Sequence, residues 1–501
     1  MATVEQLNAI RAKFEDLSGL GGLPYEIKKT VDGPVLVISV SYIPKRLYSL
    51  LNTAIESVVP DRETSGAIAT LSKLPKSNLL DGPEAKLLIR TLSEGQNVSR
   101  HSYPDDFFER YTFSVGGAEE QITAKANHIV FGRRGAGKSM LLLYALKKVE
   151  GEGHPCVWVD VQLYNDRSDE ALCGDIIAQI LRDLAHTDSA SIELGNILTD
   201  LESPSVTVQS IRKILPRIKR LLSNFTSDKS AYIFLDDFHV IDRRIQPIVL
   251  DLIYAFSRGN KIYLKISSIE TLTNTFDSTK KIGLEVSQDV QVLRLDNNLT
   301  SPDMTFAHLQ KILDAHANYA CLPGVRRLCS SGDVLPRLTW VAAGVPRDAM
   351  NLFAQSMRRA VSEGKRQVTV SNVNMASSEN LTTKIKDLEL DSSDAADLLK
   401  EELEKIKKFC VEENKINAFL VEILPRNDRY KNIIELVQMR LLHVISDGIT
   451  PGDAGRKFLA LILDYGMYTG IRAAQSVELF NQKTERASYR ELRSLPTYKI
   501  S

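Results

Sequence analysis

An α/β fold around a parallel five-stranded sheet is predicted for the middle of this chain, on three observations. Strand-like apolar runs alternate with helical patterns from about Phe107; five such runs occur before residue 300; and a glycine-rich loop joins the first of them to a helix. The runs are His128 to Phe131, Cys156 to Val161, Tyr232 to Leu235, Ile262 to Ser267 and Val290 to Leu295.

The flanking regions read differently. Residues 1–104 are expected to form a small α+β region. Its opening MATVEQLNAIRAKFEDL reads as an amphipathic helix, Pro34 to Ile43 as a β run and Pro44 to Val58 as a helix, with loop-rich sequence near Ser77 to Pro83. Residues 105–299 form the core. Beyond Leu299 strand signals fade, and helical patterns at Phe306 to Ala315, Val334 to Ala342 and Asp348 to Val361 predict a helical lid over 300–384. Residues 385–501 are expected to form a mainly helical C-terminal domain and tail. A charged stretch from Asp387 to Lys408 leads into it through the cap-like Asp391-Ser392-Ser393, and Phe458 to Leu463 is its β-like run.

Composition narrows the functional classes. A hydrophobic content of 43% and a charged content of 25% are ordinary for globular proteins, which excludes disordered and fibrous classes for most of the 501 residues. Lys and Arg total 63 and so do Asp and Glu, so no global field draws the chain onto nucleic acid or an anionic membrane. The five cysteines are scattered without a CxxC pair and are expected to be reduced and structural. The N-terminus lacks the apolar run of a signal peptide, and no stretch reaches the roughly 18 apolar residues of a membrane span. A cytoplasmic location without membrane contact is expected, which makes Asn97-Val98-Ser99 a chance sequon.

The segment Gly132-Arg133-Arg134-Gly135-Ala136-Gly137-Lys138-Ser139 satisfies G-x-x-x-x-G-K-[ST], follows an apolar strand and opens a helical run at Met140. Glycines let backbone N–H groups curl around phosphates, and the helix N-terminus adds partial positive charge. The loop is therefore expected to hold ATP with Mg2+: Lys138 neutralises phosphate oxygens and Ser139 ligates the metal. A phosphate-bound metal and an attacking water also need carboxylates on another strand. Tyr232-Ile233-Phe234-Leu235-Asp236-Asp237 supplies them, with Asp236 in the magnesium shell and Asp237 polarising water. Arg347, within Gly344-Val345-Pro346-Arg347-Asp348, starts a lid helix and carries a guanidinium able to spread over phosphate oxygens.

The order GRRGAGKS, IFLDD, a strand ending in Ser267 and Ser268, then GVPRDAMNLF and VTVSNV, resembles AAA+ ATPases of the origin-recognition and replication-initiator type. It is also similar to the STAND signalling ATPases. The resemblance spans roughly Phe107 to Met375 and is nearest to bacterial P-loop ATPases of that clade, several of which resemble phage-defence components. It implies an AAA+-like core, a γ-phosphate-sensing role for Ser267, and a C-terminal winged-helix-like module between Ile433 and Tyr468. From Arg426 onward there are 12 Lys and Arg against 8 Asp and Glu, which suits a reader of double-stranded DNA, a packing domain or a partner-docking surface alike.

One departure matters. The resembled enzymes end the acidic strand with Asp-Glu, whereas this chain has Asp-Asp, one methylene shorter at the base. Slow ATP hydrolysis by a nucleotide-dependent switch is expected, acting on DNA or a protein partner, with homo-oligomerisation open. The alternative is a DNA-binding module that keeps ATP as a structural clamp. Arg243, Arg244 and Arg258 are the arginine-finger candidates.

Overall fold

The computed structural model describes residues 2–500 except 32, 61–67, 75–79, 97–99, 101–106, 165–166, 186–191, 227–228, 296–298, 392–395, 451–454, 470–476 and 481–483. The sequon at Asn97 and the serines of the cap-like Asp391-Ser392-Ser393 lie outside the described residues, as does part of the Ser77 to Pro83 loop. The chain divides into two compact units. One comprises Met1–Asn97, Asp106–Thr112 and Asn297–Ser501, and the other Val98–Asp105 and Phe113–Asp296.

The first unit opens with the helix Val4–Ser18, whose Thr3 and Gln6 form a reciprocal capping box, satisfying two otherwise orphaned backbone donors. Three strands follow: β1 (Tyr25–Thr30), β2 (Gly33–Val40) and β3 (Ala69–Lys73), with β2 antiparallel to β1 and parallel to β3. Helices Lys45–Val58 and Pro83–Glu94 complete this region.

The second unit is built on β4 (His128–Phe131), β5 (Cys156–Asp160), β6 (Ala231–Asp236), β7 (Ile262–Ser268) and, after a small hairpin of β8 (Phe276–Asp277) and β9 (Ile282–Gly283), β10 (Gln291–Arg294). The five parallel strands lie in the order β10-β4-β7-β6-β5. All five predicted runs are strands of this sheet. Residues Ala231 to Leu235 are all buried, which is why the central strand reads as a continuous apolar run rather than an alternating one. Each such side chain contributes roughly 1.5–3 kcal/mol on burial.

A buried lysine pins the entrance to β4. Lys265 Nζ donates to the carbonyls of Ala124 (2.7 Å) and Ala126 (2.8 Å) and reaches His128 Nδ1 at 3.0 Å. Asn127 Oδ1 accepts from Leu264 N, and Asn127 Nδ2 donates to the Asp289 carbonyl. The strand that launches the glycine-rich loop is thereby tied to both of its neighbours. Burial lowers Lys265 to about 7 and, with the Lys265 charge, lowers His128 to about 4.

After residue 300 the first unit resumes with the helices Pro302–Tyr319, Val334–Val341, Pro346–Ser362, Val370–Asp391 and Ala396–Lys407. A second sheet then forms from β11 (Ala418–Glu422), β12 (Leu442–Ile449), β13 (Phe458–Leu463) and β14 (Thr497–Tyr498), in the order β12-β13-β11-β14. The sequence pattern marks only β13. Strands β11 and β12 flank a helix, Asp428–Gln438, whose amphipathic pattern runs on into β12 without a break. The helix Val370–Asp391 runs across the expected boundary at residue 384. One continuous core, extending from Leu7 through Trp340 to Ile500, joins the N-terminal region, the lid and the C-terminal sheet.

Candidate nucleotide site

The loop Gly132 to Gly137 leaves the buried end of β4 and turns into the helix Lys138–Gly151, whose N-cap is Gly137. Gly135 (φ 80°) and Gly137 (φ 97°) occupy left-handed backbone space that residues with a Cβ rarely adopt. At Gly132 a Cβ would stand 3.2 Å from that of Ala136, so a side chain there would crowd the turn. These positions allow the tight turn of the loop, within which Ala136 N donates to the Arg133 carbonyl at 3.1 Å. Arg133 is buried and Arg134 exposed, while Met140 lies in the first turn of the helix.

Lys138 is buried, and its ammonium donates to the loop's own carbonyls, Gly132 O at 3.0 Å and Arg133 O at 3.2 Å. A buried ammonium that borrows backbone acceptors sits where an anion would satisfy it better. Across the sheet, Ser139 Oγ donates to Asp236 Oδ1 at 3.0 Å. One strand, β7, separates β4 from β6, so the loop and the acids face each other over about two strand spacings, roughly 10 Å. Ser267 stands near the end of that middle strand, beside the acids.

Ser267 is fully buried and its hydroxyl is committed on both sides. It donates to Asp236 Oδ1 at 2.5 Å and accepts from Asp237 N at 2.9 Å. Next to it, Ser268 bonds Thr273. Ser267 therefore orders the two acids in this structure. Burial raises Asp236 to about 6, the Asp237 charge pushes the same way, and the hydroxyls of Ser267 and Ser139 and the Lys138 ammonium oppose them. A hydroxyl and a carboxylate 3.0 Å apart, in a setting that disfavours an isolated negative charge, form an oxygen donor pair suited to a hard divalent cation.

Asp237 adopts φ 52°, ψ 41°, which turns the chain sharply into the short turn Phe238–Val240. Its Oδ2 accepts from Gln162 Nε2 at 3.0 Å, and His239 Nδ1 lies 4.0 Å from its Oδ1. His239 is lowered to about 4 chiefly by burial, against the pull of Asp237, so a neutral imidazole flanks the carboxylate at pH 7. Neither Gln162 nor His239 emerged from the motif reading. Gln162 lies two residues beyond the end of β5, the strand paired with β6, and parallel strands bring their C-terminal ends to one rim. Polar residues just past each strand end were the signal available for it.

Within this unit the structure brings together Gly132 to Met140, Asp236, Asp237 and Ser267. Arg347 belongs to the other unit, exposed at the second position of the helix Pro346–Ser362. Of the arginine-finger candidates, Arg244 is clasped by Asp242, with Nε and Nη2 at 3.0 and 2.9 Å from its carboxylate, and Arg258 lies over the Tyr254 ring. No group of three or more metal-ligating side chains occurs among the described residues, and no described helix is long and apolar enough to cross a membrane.

No protein-family model matches the chain, and no curated protein matches it. Among solved structures it is similar to an ORC1 protein of Aeropyrum pernix in complex with DNA, at 16% identity over 74% of this chain and 92% of that one, TM-score 0.37. It is also similar to the ORC2 protein of the same organism in ADPNP and ADP complexes, at 14% identity over 74% and 96%, TM-score 0.41. A third is Cdc6p of Pyrobaculum aerophilum, at 15% identity over 70% and 87%, TM-score 0.34. Likenesses this distant assign no residue a role. The strand order β10-β4-β7-β6-β5, the loop after β4 and the acids after β6 come from the chain itself, and together they give its second unit a parallel five-stranded P-loop fold.

Proposed function

We propose that the chain is an ATP-binding switch: a P-loop ATPase of slow turnover whose nucleotide state controls assembly on duplex DNA or on a protein partner. The observation that supports it most is the Ser139 to Asp236 hydrogen bond, which joins residues 97 positions apart at the mouth of the glycine-rich loop. Ser139 and Asp236 would hold the magnesium ion, which supplies positive charge against the triphosphate oxygens. Lys138 exchanges its two backbone carbonyls for phosphate oxygens, and amides at the N-terminal end of the helix Lys138–Gly151 supply further donors.

For hydrolysis, Asp237 polarises the attacking water, with Gln162 and Ser267 fixing the carboxylate and its backbone. A carboxylate one methylene short, engaged by a donor, fits a slow reporter of state better than a fast motor.

Magnesium-dependent binding of a fluorescent ATP analogue to the wild type and to Lys138→Ala tests the nucleotide assignment; equal affinity in the two would refute it. Asp237→Asn should retain binding and lower turnover about tenfold or more, the scale of general-base assistance. Anisotropy titration of a duplex oligonucleotide with the full chain, with and without nucleotide, decides the target. Nucleotide-dependent, salt-sensitive binding assigns DNA, and its absence removes duplex DNA as the target. DNA binding that is lost in Lys138→Ala but equal with ATP and ADP would favour the clamp alternative.

A further inference from the structure

The imidazole of His239 stands beside Asp237 with one nitrogen unused. His239 lies in the short turn Phe238–Val240, which closes through Val240 N donating to the Asp237 carbonyl at 3.0 Å and is anchored by the fully buried Phe238. This turn packs against the turn Val161–Tyr164, which carries Gln162. The His239 side chain is 8% exposed, and the positive charges of Lys138 and Arg134 act on it as well as the negative charge of Asp237, so it belongs to the mouth of the glycine-rich loop. Its Nδ1 is buried and has no hydrogen-bond partner among the described residues. Asp237 Oδ1 lies 4.0 Å away and likewise has no donor among them.

A buried polar atom without a partner is costly, and folded proteins leave few of them. Closing this gap to the roughly 2.8 Å of a charge-assisted hydrogen bond takes a shift of about 1 Å. The backbone of Asp237 cannot supply it, because its N–H donates to Ser267 Oγ at 2.9 Å. The movement left is a swing of the carboxylate about the oxygen that Gln162 Nε2 holds at 3.0 Å. Such a swing keeps the Gln162 bond on Oδ2 and adds a second donor on Oδ1. Each carboxylate oxygen has two lone pairs, so one remains on each to take a proton from water.

We propose that His239 is a positioning residue for hydrolysis: in the nucleotide-loaded site its Nδ1–H donates to Asp237 Oδ1 and, with Gln162 on Oδ2, fixes the plane of the carboxylate that polarises the attacking water. The proposal rests on the reading of Asp237 given above. One donor leaves a carboxylate free to turn about the bonded oxygen, whereas a donor on each oxygen holds its remaining lone pairs in one direction. A base held within reach of the proton it takes is worth more than one that must find it.

The test is phosphate release from ATP and binding of a fluorescent ATP analogue by the full chain, compared for wild type, His239→Phe, His239→Asn, Asp237→Asn and the double variant of Asp237→Asn with His239→Phe. His239→Phe keeps a ring and removes both nitrogens. Its kcat should fall about tenfold, the worth of a hydrogen bond to a charged group, with KM and analogue affinity held within about a factor of three. His239→Asn, whose amide nitrogen can stand where Nδ1 stood, should recover kcat to within about threefold of wild type. In the Asp237→Asn background His239→Phe should add less than about a twofold loss, because the carboxylate that it orients is gone. Wild-type turnover in His239→Phe, an Asn variant as slow as the Phe variant, or a double variant slowed by the product of the two single losses would each overturn the proposal. Should His239→Phe fail to fold, His239→Gln takes its place, since its amide reaches the position of Nε2 and not that of Nδ1. Asp237→Asn at wild-type turnover would remove the reading of Asp237 and this proposal with it, a result distinct from a slow Asp237→Asn beside an unaffected His239→Phe.

Discussion

Replacing Ser267 by alanine isolates what orders the acidic end of β6. The substitution removes the hydroxyl that donates to Asp236 Oδ1 at 2.5 Å and accepts from Asp237 N at 2.9 Å. A hydrogen bond to a charged group is worth about 1.5–3 kcal/mol, and one pKa unit corresponds to about 1.4 kcal/mol, so Asp236 should rise by about one to two units. It already stands at about 6, so the variant's carboxyl should titrate near 7 to 8. At pH 7 the ionised fraction then falls from about nine-tenths to between about one-half and one-tenth, and metal-dependent affinity falls about two- to tenfold with it. Above pH 9 both proteins should bind alike. Magnesium-dependent binding of a fluorescent ATP analogue, titrated from pH 6 to 9.5, measures this directly. A loss of affinity that stays constant with pH, or an unchanged midpoint, would refute the assignment of Ser267 as the group that keeps Asp236 ionised.

Gln162→Leu removes the donor that fixes the Asp237 carboxylate; kcat should fall a few-fold with KM for ATP unchanged, as steady-state phosphate release would show. Acid should weaken the P-loop unit. His128 and His239 stand at about 4 when folded and near 6.5 when unfolded, so between those values the unfolded chain binds more protons and stability falls as pH drops. Asp236, raised to about 6, works in the opposite sense below that value, leaving a net loss of about 1.4 kcal/mol per pH unit between 6 and 4.5. Urea midpoints that stay flat from pH 7 to 4.5 would contradict this. Lys265→Met should cost progressively more stability from pH 7 to 10. Over that window the wild-type lysine is neutral when folded and charged when unfolded, so only the wild type gains stability as pH rises. Chemical denaturation at pH 7 and pH 9.5 checks the trend.

Local pattern carried the second unit a long way. The runs from His128, Cys156, Tyr232, Ile262 and Val290 are strands because each is short, apolar and bounded by polar or glycine-containing sequence, properties that survive without knowledge of the fold. The loop Gly132 to Ser139 is legible for a similar reason: its chemistry needs particular residue types at fixed spacing along one stretch of chain. Asp236 and Asp237 were visible as acids ending an apolar run.

Tertiary structure decided what depends on residues distant in sequence. Placing β7 between β4 and β6 turned Ser267 toward the acids, and the rim shared by β5 and β6 gave Asp237 its partner in Gln162; a serine or glutamine after a strand looks ordinary until its neighbour is known. The C-terminal sheet was hidden because β14 is only two residues long, β12 follows directly on an amphipathic helix, and the pairing of strands, unlike a helix's, is made with segments far along the chain. The bonds from Asp348 to Arg440 and from Lys384 to Asp464 bridge 92 and 80 positions of chain. Sequence by itself therefore determined which segments are strands in the P-loop unit and where its phosphate-type loop lies. Only the fold decided which polar groups face one another, because hydrogen bonds and ion pairs answer to distance in space, and separation along the chain does not encode it.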